Sequence, residues 1–173
     1  MHKSIQNRFR FHNRFLTVLG LLVVWVTGAW VGYLFYRSLE HVFISLMCGS
    51  CCDFVSIIML LAGVTIPFLI TAYAVHYKQN HILYLLCFTK AFSYAVAVFS
   101  VYGVYGNAGW LMHFFLLFSE NVSVCLLLFL WLQCLLERNA LMPAFVRCGC
   151  IALLGWGFDM IVVAPFVVSF TSF

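Results

Sequence analysis

The sequence predicts an all-α protein, a polytopic bundle of about five transmembrane helices. Of its 173 residues, 65% are hydrophobic and only 8% are charged, whereas about 25% of the residues in a soluble domain are charged. The apolar residues gather into five long runs, and most of the basic residues lie at the ends of these runs. A soluble domain is excluded, because so few charged residues cannot provide the polar surface that keeps a domain dispersed in water.

The five apolar runs set the limits of the predicted spans, which are 15–36, 54–75, 82–103, 109–136 and 148–173. A hydrocarbon core of ~30 Å needs about 20 helical residues, so each run is long enough. Helices are favoured because every backbone polar group must find its partner within the lipid. As one helix the fourth run would measure about 42 Å. We therefore predict that it tilts strongly or breaks near residues 119–121, Ser-Glu-Asn.

The basic residues predict the orientation of the bundle. Lys90 lies inside a span and Arg37 lies on one side of the membrane. The other seven of the nine basic residues lie on the opposite side: Lys3, Arg8, Arg10, Arg14, Lys78, Arg138 and Arg147. The positive-inside rule then places the N-terminus in the cytoplasm and the C-terminus outside the cell membrane. We divide the chain into a basic cytoplasmic segment, 1–14, and a single transmembrane domain, 15–173.

Three ionisable residues fall near the middle of predicted spans: Lys90, Glu120 and Asp159. A Lys or Asp at a helix centre costs about 2.5–3.5 kcal/mol on insertion, so such residues face the bundle interior and pair. Together with Asn121 they form the candidate polar cluster. One interpretation is a binding site for an ion, a proton or a polar ligand. The other is a lysine–carboxylate pair that holds helices together, and the sequence leaves both open.

Three of the eight cysteines, Cys48, Cys51 and Cys52, cluster on the predicted outer side. The C-x-x-C spacing of Cys48 and Cys51 is typical of a redox pair or of half a zinc site. No second C-x-x-C occurs to complete such a site. We therefore expect no metal and no cofactor, with the thiols acting as small apolar groups.

Small residues at a spacing of four predict where helices touch. Gly28 and Gly32 form a G-x-x-x-G motif in the first span, and Ala91 and Ala95 repeat the spacing in the third. Side chains of this size let two helix backbones approach closely. We predict that both pairs lie at helix–helix interfaces.

Enzyme signatures are not found along the chain. The sequence contains no G-x-S-x-G, no H-E-x-x-H and no P-loop, so we expect no enzyme. The basic residues adjoin membrane spans, which favours a role in topology over nucleic-acid binding. His113, near the outer end of the fourth span, is expected to be simply solvated. The oligomeric state is left open, a homo-oligomer included.

Three short motifs lie in the second half of the chain. They are Lys90-Ala91-Phe92-Ser93 inside a span, a leucine-rich run into Ser119-Glu120-Asn121, and Gly157-Phe158-Asp159 followed by Ala164-Pro165-Phe166. Over roughly residues 55–173, these motifs resemble the stage II sporulation protein M family of small bacterial membrane proteins. The resemblance implies a non-enzymatic component of a peptidoglycan-remodelling complex, whose partners are other membrane or cell-envelope proteins.

Two other functions are kept as alternatives. In the first, the chain is a small transport subunit, and Lys90, Glu120, Asn121 and Asp159 line a site for an ion or a polar small molecule. In the second, it is a redox-active membrane protein that uses Cys48 and Cys51. The first alternative depends on the intramembrane charges and the second on the C-x-x-C spacing, so the two are tested by different residues.

Overall fold

The computed structural model describes residues 2–42, 54–77, 79–109, 113–114, 117–136, 141–158 and 161–162. Side chains are described from residue 15 onward, except at 54–61, 64 and 141–143. Within these ranges the chain forms five α-helices: α1 (His2–Ser38), α2 (Phe54–His76), α3 (Asn80–Tyr105), α4 (Phe118–Leu136) and α5 (Leu141–Phe158). A 3₁₀ turn, Gly106–Ala108, follows α3, and no strand occurs in these ranges. The predicted all-α class is therefore confirmed for the described residues.

Three stretches of helix are long and apolar enough to cross a membrane. They are Phe15–Ser38, Asn80–Ala108 and Phe118–Leu136. Two further apolar stretches, Thr65–His76 and Ala144–Phe158, are shorter. Each stretch lies within or overlaps one of the five predicted spans, and the three long ones support insertion into a membrane.

Two helix boundaries differ from the predicted ones. α1 begins at His2, so residues 2–14 of the basic segment are helical and run without interruption into the first predicted span. α4 begins at Phe118, so residues 119–121 form its first turn and are not themselves a break. An acidic residue in the first turn is favourable because the helix dipole places partial positive charge there, and Glu120 occupies that position.

The apolar core draws side chains from all five helices. It contains Leu21, Phe68, Ala74, Leu83, Cys87, Leu127, Leu130, Trp131, Cys134, Cys148 and Ala152. Buried within it, Trp131 Nε1 donates a hydrogen bond of 2.9 Å to Thr71 Oγ1. Thr71 Oγ1 in turn donates to the carbonyl of Pro67 at 2.7 Å, so the polar atoms of this pair are satisfied. The core lies beside the second half of α2 and the first half of α3.

The outward surface of the bundle is apolar. Trp30, Leu69, Leu85, Phe129 and Leu154, one on each of the five helices, are each at least 50% exposed. A soluble monomer rarely exposes contiguous apolar patches of more than a few hundred Å². Large side chains exposed on every one of these helices are what a lipid-facing surface requires, since lipid tails are as apolar as leucine.

Candidate functional site

An ion pair between α3 and α4 forms the centre of the candidate site. Lys90 Nζ lies 2.7 Å from Glu120 Oε1, and these side chains are 7% and 23% exposed. Lys90 Nζ also donates a hydrogen bond of 3.2 Å to the backbone carbonyl of Gly63 in α2. One ammonium group therefore joins three helices, through a carboxylate on one side and a carbonyl on the other.

The helices themselves position both charges. Lys90 lies on the buried face of α3, which also carries Leu83, Cys87 and Ala91. Glu120 lies in the first turn of α4, where the partial positive charge of the helix dipole favours negative charge. The carboxylate is thus stabilised by the lysine and by the end of its own helix. Such support is needed because a charge removed from water must be paired and hydrogen-bonded.

A ring of hydrogen bonds adjoins the ion pair, one helical turn along α3. Tyr94 lies four residues after Lys90, and its hydroxyl donates to Asn121 Oδ1. The same hydroxyl oxygen lies 3.1 Å from Nε2 of His113. Asn121 Nδ2 completes the ring with a long hydrogen bond of 3.5 Å to the His113 carbonyl. The expectation that His113 is simply solvated is therefore wrong: its side chain is half-buried and hydrogen-bonded to Tyr94.

The structure brings together three of the four residues of the predicted polar cluster. Lys90 pairs with Glu120, and Asn121 lies next to Glu120 with its side chain bonded to Tyr94. Asp159, the fourth, lies outside the described residues. Cys48, Cys51 and Cys52 also lie outside them. The assignment of Asp159 to the polar cluster therefore stays a prediction, as does that of the three cysteines to a redox or metal site.

The predicted packing residues meet each other along the α1–α3 interface, which is the most extensive one between described helices. A Cβ added at Gly28 would lie 2.6 Å from the carbonyl oxygen of Phe88 and 3.0 Å from the Cβ of Ala91. A Cβ added at Gly32 would lie 2.5 Å from the carbonyl oxygen of Phe92 and 3.1 Å from the Cβ of Ala95. The two small-residue pairs let the two backbones touch.

Three groups of the site were not predicted from the sequence. Tyr94 lies at i+4 from Lys90, so the helical spacing already placed it on the same face. His113 carried the signal of a titratable ring inside an apolar run. The Gly63 carbonyl carried no side-chain signal at all, because a backbone acceptor is revealed only when the helices are assembled.

The site holds charge and hydrogen bonds but offers few groups for metal binding. Among the residues whose side chains are described, no group of three His, Cys, Asp or Glu residues is close enough to bind a metal ion. The cysteines in that part of the chain are free thiols: Cys87, Cys125, Cys134, Cys148 and Cys150. What the arrangement supplies is a neutralised ion pair beside a histidine-containing hydrogen-bond ring.

Comparison with known proteins adds no relative. No family model, no curated protein and no solved structure matches the chain.

Proposed function

We propose that the chain is a multi-pass cell-membrane protein that acts as a non-enzymatic scaffold for other membrane or cell-envelope proteins. In this proposal it has five spans, with the N-terminus in the cytoplasm and the C-terminus outside. The observation that carries the proposal is the Lys90–Glu120 pair. Both charges are used within the bundle, since Lys90 also binds the Gly63 carbonyl, so they serve to assemble helices.

The outward surface supports the same role. Exposed apolar side chains occur along α1, α2, α3 and α5, for example Trp30, Leu69, Leu85 and Leu154. Such a surface contacts lipid, or equally the apolar surface of another membrane protein. The resemblance of residues 55–173 to the stage II sporulation protein M family favours partners in peptidoglycan remodelling. A bacterial scaffold that recruits such partners is consistent with both features.

A second candidate function is a small transport subunit that binds an ion or a polar small molecule. The observation that favours it is the start of α4 at Phe118, inside the fourth predicted span and beside Lys90. Discontinuous helices whose ends lie within the membrane form the substrate and ion sites of many transporters. Lys90, Glu120, Asn121 and Asp159 would line that site.

Affinity purification in mild detergent separates these two functions. We expect the wild-type chain to recover a reproducible set of membrane or envelope proteins. Lys90→Ala is expected to lower both the amount of chain and the recovery of those partners, because it leaves Glu120 without its counter-ion. Thr89→Ala is the matched control: Thr89 is exposed on α3, and its hydroxyl bonds to the carbonyls of Leu85 and Leu86 in its own helix.

The outcome for Lys90→Ala decides between the proposals. Reduced accumulation and reduced partner recovery support the scaffold. Normal accumulation and normal partner recovery, combined with loss of uptake or ligand binding, would contradict the scaffold and support transport. A loss of the same size in Thr89→Ala would contradict the assigned role of the ion pair, because that variant leaves Lys90 and Glu120 in place.

A further inference from the structure

The hydrogen-bond ring around Tyr94 fixes which nitrogen of His113 carries the proton. Asn121 must present Nδ2 to the His113 carbonyl, because a flipped amide would set two oxygen acceptors against each other. Asn121 Oδ1 then faces Tyr94 and accepts its single hydroxyl proton. The Tyr94 oxygen can now only accept from His113, so Nε2 of His113 is the N–H that donates to it.

In the neutral imidazole, Nδ1 of His113 is consequently an acceptor, and no described residue donates to it. The atom is buried and makes no hydrogen bond in the part of the chain that the structure describes. A buried acceptor without a donor costs free energy, and any group that brings an N–H or O–H to it recovers that cost. The ring geometry thus prepares one lone pair for an incoming donor.

Three aromatic rings lie near the imidazole of His113. The ring centroids of Phe114, Tyr94 and Tyr102 lie 5.5, 6.0 and 6.4 Å from that of the imidazole. Aromatic faces attract a cation placed within about 6 Å of them. The charge of Lys90 does not oppose such a cation strongly, because Lys90 is in contact with the carboxylate of Glu120. The surroundings therefore favour a donor that carries positive charge.

We infer that His113 Nδ1 and the rings of Tyr94, Tyr102 and Phe114 bind a small protonated amine. The amine donates an N–H to Nδ1, and its charge lies against the aromatic rings. A metal ion fits less well, because among the residues whose side chains are described no three His, Cys, Asp or Glu residues come together. The inference deepens the second candidate function and rests on it for its biological use, whereas the binding itself rests on the geometry of these four residues.

The test is a titration of the full-length chain in lipid nanodiscs, with its histidines labelled with ¹⁵N. Methylammonium is the probe, at pH ~8, where a free imidazole is neutral and an alkylamine is protonated. The His113 resonances are identified by their loss in His113→Gln. We expect Nε2 to carry the proton and Nδ1 to show a saturable shift with methylammonium, which sodium at equal ionic strength does not cause. Tetramethylammonium, which has no N–H, should not cause it either.

Two tyrosine variants sharpen the titration. Tyr94→Phe removes the acceptor that holds the proton on Nε2, so methylammonium should bind about fivefold more weakly. Tyr73→Phe is the matched control: Tyr73 is exposed on α2 and is not part of the proposed site, so binding should be unchanged. A proton found on Nδ1 in the wild-type chain would overturn the inference, and so would the lack of a saturable shift, an equal response to tetramethylammonium, or unchanged binding in Tyr94→Phe. Uptake and partner recovery are measured separately, so failure of this inference is distinguishable from failure of the transport proposal and of the scaffold proposal.

Discussion

Lys90 places a charged group at a buried position of the bundle. Its side chain is 7% exposed, and its ammonium group has two partners, Glu120 and the Gly63 carbonyl. Glu120 in turn depends on Lys90 and on the N-terminal end of α4. Removing either partner of a buried ion pair leaves the other charge uncompensated, which is far more costly than replacing both with apolar groups.

At the residue scale, we predict that Lys90→Met lowers the free energy of unfolding by about 3 kcal/mol, because it strands the Glu120 carboxylate. The double variant Lys90→Met/Glu120→Leu should return to within about 1 kcal/mol of the wild type, because no uncompensated charge remains. Reversible unfolding in mixed micelles measures these free energies, together with that of the second single variant, Glu120→Leu. A double variant as unstable as the sum of the two single variants would show that the charges do not act as a pair.

The sequence was sufficient to single out Lys90, Glu120 and Asn121, since an ionisable residue in an apolar run has few places to go except the bundle interior. It was not sufficient to choose the partner of Lys90, because Glu120 and Asp159 both carry a carboxyl group and lie at a similar predicted depth in the membrane. It also missed Tyr94 and His113, whose contact depends on how the helices are assembled. In the assembled bundle, His113 and Asn121 both lie at the hydroxyl group of Tyr94.

At the element scale, the contact between α1 and α3 depends on the absence of side chains. The carbonyl oxygens of Phe88 and Phe92 occupy the space that a Cβ at Gly28 or Gly32 would need. Aromatic side chains pack beside these glycines, including Tyr33 with Phe99 at 4.7 Å and Phe35 with Phe92 at 5.4 Å between ring centroids. Because the opposing atoms belong to the backbone, the helices themselves must separate to admit a methyl group.

We predict that Gly28→Ala and Gly32→Ala each lower the free energy of unfolding by about 1–3 kcal/mol, because they overpack the interface. Gly149→Ala in α5 is the matched control, since nothing lies within 4 Å of the Cβ it adds. That variant should change the free energy by less than about 1 kcal/mol, or stabilise slightly, because alanine favours helix more than glycine does. Equal effects in all three variants would mean that helix propensity, not close packing, determines the result.

Helix existence was easier to predict from the sequence than helix ends. The five apolar runs each contain or overlap a helix. An apolar run of this length satisfies its backbone hydrogen bonds in lipid by forming a helix. The helical state of residues 2–14 was not predicted, because their composition indicates a polar segment and backbone continuity with α1 extends the helix. The polar triplet at residues 119–121 was the predicted place for a break in the fourth span. In the structure it forms the first turn of α4, which begins at Phe118.

At the scale of the whole molecule, the surface differs from that of a soluble protein, which rarely exposes large contiguous apolar patches. Large apolar side chains such as Leu69, Leu85 and Leu154 are exposed, while Lys90 and the hydroxyl groups of Thr71 and Ser100 are buried. The apolar core and the polar site also lie at different levels of the bundle. The core surrounds Leu83 and Cys87 in the first half of α3, and the polar site follows from Lys90 onward. A composition with 65% hydrophobic and 8% charged residues accounts for both the apolar outward surface and the small number of buried polar contacts.

We propose that the chain crosses the membrane five times with its N-terminus inside, and thiol labelling tests this topology most directly. The eight cysteines are replaced, and a single cysteine is introduced by Ser4→Cys or by Ser172→Cys. A membrane-impermeant maleimide is then applied to intact cells and to lysed cells. We predict that Ser172→Cys is labelled in intact cells, whereas Ser4→Cys is labelled only after lysis. Labelling of both positions from the same side would require an even number of spans and would contradict the account.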